Sequence, residues 1–523
     1  MQRTGAAPPG APRAEAPPIG ASPRGATSAI VFAVAGFLVC ATFSAMRGSP
    51  FQPVLPAGAE PWGPLTEVAA ALGLERLAGS WLIGAAVIAI ALAVAGFLVL
   101  LRETWRGTVS VRTVLVLAVL ANVTVVAFVP LLFSRDVYSY AFYGRIAAVY
   151  DANPYVHTPV EFGGDELWSL VGPKWVDTPA VYGPAFTTIS GGIAGAIDTP
   201  AGQVRAYRWL AALASVATIA AIAFTVSRRR PQRAAFAVAA FGLNPVVLFH
   251  TVASGHNDAL VALAVAAGFL LLVHARTHAA VAVLALGALV KATVLLPLVL
   301  VIVWCVAGAP SGRRRHAALT HAGVAVAIGI VFVVPFLQTE DPTLGMLELA
   351  GHEGWLAPSV FLQKVFGWLS FGTLGWLARV IVAVVVVVVF VRLARDVARR
   401  GAEREQVEAV GAAMAWSLVV LMLLGPVLLP WYVAWALPLI WLTPKPPRAT
   451  VIAAGVALAL AQWTTEPLRY PDAFDVNLWI GHWIVTPAML VLAIWCLVDL
   501  RHRVLGRLPL HDPEGVSTES RQG

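Results

Sequence analysis

Residues 80–101 contain no ionisable side chain, and this segment is one of many like it. Apolar stretches recur at 28–46, 80–101, 113–133, 210–227, 234–250, 259–273, 279–306, 317–337, 373–393, 407–424, 431–442, 451–463 and 479–498. A helix needs roughly 20 apolar residues to cross the ~30 Å hydrocarbon core, and it satisfies its backbone hydrogen bonds internally. Repetition on this scale predicts an all-α, polytopic integral membrane protein with about 11 to 14 transmembrane helices. Composition agrees, with 59% hydrophobic and only 12% charged residues among 523, against about 25% charged in soluble domains. A soluble enzyme, a disordered chain and a nucleic-acid-binding protein are excluded.

The net charge of +8 comes from 36 Lys and Arg against 28 Asp and Glu. Basic residues concentrate in short connectors: Arg102, Arg106 and Arg112; 228–233; 313–315; 392–404; 501–507. Under the positive-inside rule these are cytoplasmic, as is the Pro- and Ala-rich tail 1–27. The expected organisation is a disordered cytoplasmic tail over 1–27, a transmembrane catalytic domain over 28–503 and a loose cytoplasmic tail over 504–523. Arg205 and Arg208 read as further topology charges. Two ambiguities affect the helix count. Residues 182–197 are short for a full crossing, and 279–306 reads either as one tilted helix or as two short helices meeting near Lys291. Cys40, Cys305 and Cys496 lie far apart in apolar stretches, which predicts buried inert thiols.

Polar chemistry is concentrated in residues 134–181, a loop expected on the outer side. It carries Asp136, Asp151, Glu161, Asp165, Glu166 and Asp177 with Arg135, Arg145, His157 and Lys174. Tyrosines and tryptophans are interleaved, a mixture suited to the apolar faces and hydroxyl rims of a sugar. A loop of this length is functional or disordered, and the aromatics argue against disorder. Asp136, Tyr140 and Tyr143 follow i, i+4, i+7 spacing, one face of a helix expected to lie along the leaflet surface. The competing reading is an aromatic interfacial belt.

Two other places carry polar groups against apolar surroundings. His256, Asn257 and Asp258 follow Gly255 between two apolar stretches, either as a substrate site or as the N-cap of the helix from Ala259. Lys291 stands in the wholly apolar 284–300 and must pair with a carboxylate, bind a phosphate, face a polar cavity or snorkel. Asp258 is the carboxylate nearest in sequence that shares its context. Leu429-Pro430-Trp431-Tyr432 with Trp435 either lines a lipid-facing groove or anchors the interface, and His352, Glu353 and Trp355 lie in a second outside loop. No nucleotide-binding, zinc-hydrolase or serine-hydrolase motif is present.

Taken in order, FSRDVYSY (133–140), NPY (153–155), WVDTPAVYGP (175–184), LNP (243–245), GHNDAL (255–260), VKA (290–292) and LPWY (429–432) form a collinear set. This set resembles the actinobacterial polyprenyl-phosphomannose-dependent α-(1→6)-mannosyltransferases, membrane enzymes of the GT-C superfamily. The resemblance spans roughly 47–503. The chain departs from it at Tyr143-Gly144-Arg145, where the family more often has Gln-Gly, and at Ala253-Ser254, where glycines are usual.

The resemblance implies a GT-C-type bundle whose large first outside loop carries interfacial helices and the catalytic carboxylate, here Asp136. It implies transfer of mannose from a polyprenyl-phosphate donor to a mannan or lipomannan acceptor at the outer face of the plasma membrane. Membrane lipids surround the enzyme and no nucleic acid takes part. The expected reaction is an inverting displacement with Asp136 as base. Lys291 and Arg145 would face the leaving phosphate, with His256 as donor. Asp258 and Asp177 would hold hydroxyls or orient the cations, Tyr140 or Trp175 would stack on the sugar, and Arg135 and Asn257 complete the binding set. No cofactor is expected. A divalent metal would need Asp136, Asp177 and Asp258 to converge. The alternatives are a related transferase using another lipid-linked sugar, such as arabinofuranose, and a lipid-linked sugar transporter. The transporter is disfavoured because no internal repeat is visible.

Overall fold

The computed structural model describes residues 23–338, 343–346, 356–358, 361–362, 365, 372–402, 407–464, 466–505 and 508–511. All regular structure among them is helical. Among the described residues six helices are long and apolar enough to cross a membrane: α1 (Pro23–Ala45), α3 (Gly79–Trp105), α4 (Val111–Phe128), α7 (Pro200–Arg229), the stretch Ser311–Phe336 containing α12 (Arg314–Val333), and the continuous run Pro471–Leu505. Shorter apolar helices pack among them: α9 (Asp258–Val273), α10 (Thr277–Val290), α11 (Leu295–Gly308) and α14 (Glu408–Leu424). With α13 (Gly372–Ala402) and α15 (Lys445–Ala461), they make a polytopic membrane bundle. α2 (Pro64–Ala71) is a short helix beside the far end of α1.

The basic connectors meet at one end of this bundle. The Arg233 and Arg448 guanidinium groups lie over the Trp105 ring at 3.5 and 4.2 Å. Arg229 binds Glu408 at 2.6 Å, and Gly308 packs against the backbone of Gly401. α4 therefore leaves this arginine end and α7 returns to it. Between them, α5 (Asp136–Ala148) and α6 (Pro184–Ala196) stay at the opposite end without crossing. That settles the short 182–197 segment. It belongs to a packed helix pair, with Gly144 so close to Ser190 that no side chain fits between them.

Several expectations change. The α5 helix does not lie along a surface, because Val137 to Gly144 and Ile146 are all buried. Residues 234–250 form no single helix. α8 (Ala234–Gly242) ends before Asn244-Pro245, where proline lacks an N–H donor and the Asn244 side chain accepts from the Val246 N–H at 3.0 Å. The chain then bends by 41° into a π-helical turn, Val246–Val252. Residues 279–306 are two helices, with Lys291 extended between them at φ −152°, ψ 126°. Residues 431–442 form two 3-10 segments, Pro430–Trp435 and Leu437–Leu442, each with a proline in its first two positions.

Arg208 is a buried tie rather than a topology charge. Its guanidinium donates to the carbonyls of Val125, Val129 and Ala253, offsetting the negative end of α4. The final helices α16 (Pro471–Ile480) and α17 (Thr486–Leu505) join through a π-helical turn. Beyond them the tail is not loose throughout: Leu510 is fully buried and its carbonyl accepts from the Trp416 indole at 3.3 Å. All three cysteines are free thiols. His352, Glu353 and Trp355 lie outside the described residues.

Candidate active site

At the end opposite the arginines, the 134–181 loop is folded by its own polar groups. The Asp165 carboxylate accepts from Arg145 Nε at 2.7 Å, Tyr150 Oη at 2.7 Å and the Leu167 N–H at 2.8 Å. Tyr143 donates to the Thr178 carbonyl at 2.9 Å and Tyr155 to that of Tyr182 at 2.7 Å. Gly183 then passes so close to the Leu289 carbonyl that a Cβ would stand 2.1 Å away. Its N–H donates to the Val290 carbonyl at 3.1 Å. Only glycine permits that approach, which seats the loop directly on the break at Lys291.

Between loop and bundle opens a cavity of about 570 Å³. Its lining includes Arg135, Asp136, Trp175, Lys291, Tyr432 and Glu466. Asp136 occupies the first turn of α5, with Ser134 Oγ accepting from its N–H at 3.0 Å. Only 23% of its side chain is exposed. Burial raises its pKa from the ordinary carboxylate range to about 6, against the opposing pull of Ser134 and Lys291. The proton is held more tightly because desolvation penalises the charged form. At near-neutral pH this carboxylate is poised to accept a proton.

Gly255, at φ +67°, makes the left-handed turn that aims His256, Asn257 and Asp258 at this region. His256 is fully buried, with Nδ1 3.7 Å from the Asp136 carboxylate and 3.1 Å from Tyr140 Oη, and its ring stacks on Trp431 at 3.7 Å. Asn257 is the N-cap residue of α9, but its side chain makes no capping bond. Asp258 accepts from Lys291 Nζ at 2.7 Å and from the Trp435 indole N–H at 2.5 Å. Lys291 also stands 4.6 Å from the Tyr432 ring centre and 5.3 Å from that of Trp435, a cation–π cradle in a desolvated place. Asp258 at a helix N-terminus and Lys291 at a helix C-terminus each lie at the dipole end that favours their charge.

Polar atoms without protein partners collect here. His256 Nε2, both amide atoms of Asn257 and Asp258 Oδ2 are buried and make no hydrogen bond among the described residues. Such groups are costly unless something completes them.

Asp136, Arg135, Trp175 and Lys291 thus share one cavity, with His256, Asn257 and Asp258 clustered on its Trp431–Trp435 side. Tyr140, Arg145, Asp177, His256, Asn257 and Asp258 are not among the residues lining it: His256, Asn257 and Asp258 lie buried behind its wall. Arg145 is taken up by Asp165 and by the Asp198 carbonyl at 3.1 Å, and Asp177 is exposed. Tyr140 offers no free ring face, being buried with its edge contacts to Tyr182 and Phe186 at 4.7 and 4.9 Å. Among the described residues no group of three or more His, Cys, Asp or Glu is placed to hold a metal ion.

Glu466 lines the cavity and Trp435 holds Asp258, and the sequence reading singles out neither as a site residue. Trp435 carried a signal in its proline-aromatic segment. Glu466 carried only its status as a carboxylate at the end of an apolar stretch.

A helical membrane bundle that places a partly buried carboxylate and a cation around one cavity is the architecture of a membrane-embedded enzyme. The family model for the alpha-(1->6)-mannopyranosyltransferase N-terminal domain matches residues 23–308, more than half of the chain. The chain belongs to that family and is a glycosyltransferase. It is similar to Alpha-(1->6)-mannopyranosyltransferase A of Mycobacterium tuberculosis, 26% identical over 401 residues that cover 70% of this chain and 72% of that one. A 133-residue stretch is 34% identical to a probable alpha-(1->6)-mannopyranosyltransferase of Mycolicibacterium smegmatis, covering 25% of this chain and 24% of that protein.

Proposed function

We propose that the chain transfers mannose from a polyprenyl-phosphate donor to an α-(1→6)-linked mannan acceptor, at the outer face of the plasma membrane. The observation that carries this reading is the position of Lys291. It lines the cavity beside Asp136 and also a second, still more apolar cavity of about 320 Å³, whose lining includes Leu295, Leu296, Val386, Leu421 and Pro426. Val427 and Tyr432 line both as well. A donor with a charged phosphate between a sugar and a hydrocarbon tail fits that junction: tail in the apolar groove, phosphate at Lys291, sugar beside Asp136.

In the reaction, the acceptor hydroxyl oxygen attacks the anomeric carbon while the carbon–oxygen bond to phosphate breaks. Asp136 takes the hydroxyl proton. Polyprenyl phosphate leaves with the bonding electrons, its charge met by Lys291, with Asp258 and Trp435 holding that ammonium in place. Inversion at a β-linked donor gives the α product. His256 and Asn257, with their unpartnered atoms, supply donors and acceptors for sugar hydroxyls, and Trp175 supplies a stacking face. The outer-face assignment rests on the arginine connectors at the other end of the bundle, which the positive-inside rule makes cytoplasmic. The catalytic unit is read as 28–503.

Replacing Asp136 with Asn tests the reading. Transfer from labelled polyprenyl-phosphate-mannose in membranes is expected to fall by about 10²-fold or more with the protein still inserted. Near-wild-type transfer removes Asp136 from the role of base.

A further inference from the structure

Arg135 and Asp136 are adjacent, oppositely charged and line the same cavity. Left alone, a long guanidinium beside a half-desolvated carboxylate pairs with it. The structure shows another partner. Arg135 forms a two-point ion pair with Glu466, Nε to Oε1 at 2.9 Å and Nη2 to Oε2 at 2.5 Å, across 331 positions of sequence.

Glu466 is nearly buried and is itself held, since its Oε1 accepts from the Val54 N–H at 3.3 Å. Around it the same three segments are tied together again. Tyr138 donates to the Val54 carbonyl at 2.6 Å, and Tyr470 to that of Gly48 at 2.5 Å. The fork geometry of a guanidinium on a carboxylate uses both of its parallel N–H donors, which restricts where else Arg135 can point.

We propose that Glu466 is a positioning residue: it holds Arg135 away from Asp136 and so leaves the Asp136 carboxylate free to accept the acceptor's proton. The proposal rests on the reading of Asp136 as the base. It explains why a cation next in sequence to the base does not neutralise it, and why a carboxylate so far along the chain reaches this cavity. It also separates the two cations by task. Lys291 meets the phosphate, while Arg135 is kept out of the chemistry.

The groups facing Asp136 come from every element around it. Tyr140 and Tyr143 lie on its own helix, and Ser134 and Arg135 on the segment before it. His256 and Asp258 come from the turn into α9, Lys291 from the break between α10 and α11, Tyr182 from the segment before α6 and Tyr432 from the 3-10 segment. Changing Arg135, one of these groups, and its partner Glu466 alters charge without touching the Lys291 cradle.

The test is the pH–rate profile of the full-length protein in detergent or vesicles, using labelled polyprenyl-phosphate-mannose. The variants are Glu466→Gln, Arg135→Gln, the double variant and Asp136→Glu. In Glu466→Gln the freed guanidinium pairs with Asp136, so the acidic limb moves to lower pH by about half a unit or more. The rate above the limb falls about tenfold, chiefly in kcat rather than KM. In Arg135→Gln the unpaired Glu466 charge moves the limb to higher pH. In the double variant the limb returns to the wild-type position, and the rate recovers to within a few-fold of wild type.

Equal losses in all three variants with an unmoved limb overturn the proposal, because that is what a purely structural tie produces. A wild-type profile in Glu466→Gln overturns it as well. If Glu466→Gln does not insert, Arg135→Gln and the double variant still decide by the direction of the limb. Failure of the base assignment itself is read separately, as a wild-type limb that Asp136→Glu leaves in place, and it overturns this proposal too.

Discussion

The two ends of the bundle use charge in opposite ways. At the arginine end, ion pairs are short-range or close one helix end on another: Arg400 to Asp396 at 2.6 Å and Arg503 to Asp499 at 2.6 Å, each one helical turn apart, and Arg229 to Glu408 between α7 and α14. At the other end, the pairs Asp258–Lys291 and Arg135–Glu466 join distant segments around a cavity, and the polar atoms of His256, Asn257 and Asp258 beside them are left open. Charges that only fasten helices are mostly met within the protein, although Glu408 Oε2 at the arginine end also has no partner among the described residues. Charges that must meet a substrate cannot be, and buried groups left open are a stability cost tolerated where a ligand completes them.

The contrast can be broken most severely at Lys291. Lys291→Ala removes the cation from the junction and leaves Asp258 buried with only an indole donor. Transfer is expected to fall by about 10²-fold or more, measured on membranes with insertion checked by size-exclusion chromatography. An unchanged rate would make Lys291 a fastening charge like those at the arginine end.

A smaller and graded effect comes from pH. Burial raises the Asp136 pKa to about 6, so its proton-accepting form is lost as pH falls through that value. Transfer should drop about tenfold per unit below the limb. A flat profile between pH 5 and 7 would show that no carboxylate with this environment controls the rate.

The smallest effect belongs to the arginine end. Glu408→Gln weakens a pair whose arginine is about one-third exposed, which should cost on the order of 1 kcal/mol in thermal stability and leave kcat unchanged. A loss of transfer there would erase the distinction between the two ends.

Much of this was legible before folding because the bilayer imposes a one-dimensional code. Apolar length marks the helices, and basic connectors mark one side. The chemistry-bearing strings around Asp136, His256–Asp258 and Lys291 stand out because polar groups are rare in such surroundings. Proline and lysine at 245 and 291 even marked where helices break, although the sequence left 279–306 open and read 234–250 as one helix. That Arg145 pairs with Asp165 within the same loop was not legible, because no spacing rule reveals which of many loop carboxylates does so. Tyr140 had helical spacing with Asp136, but spacing does not say that neighbouring helices cover its ring.

The amino-acid order alone thus determined that the chain is a helical membrane protein, where its basic side lies along the sequence and which rare polar residues to watch. Only the tertiary structure decided which of those residues meet. Glu466 on Arg135 and Trp435 on Asp258 are contacts between segments 331 and 177 positions apart. No local periodicity encodes them, because they arise from how the helices pack.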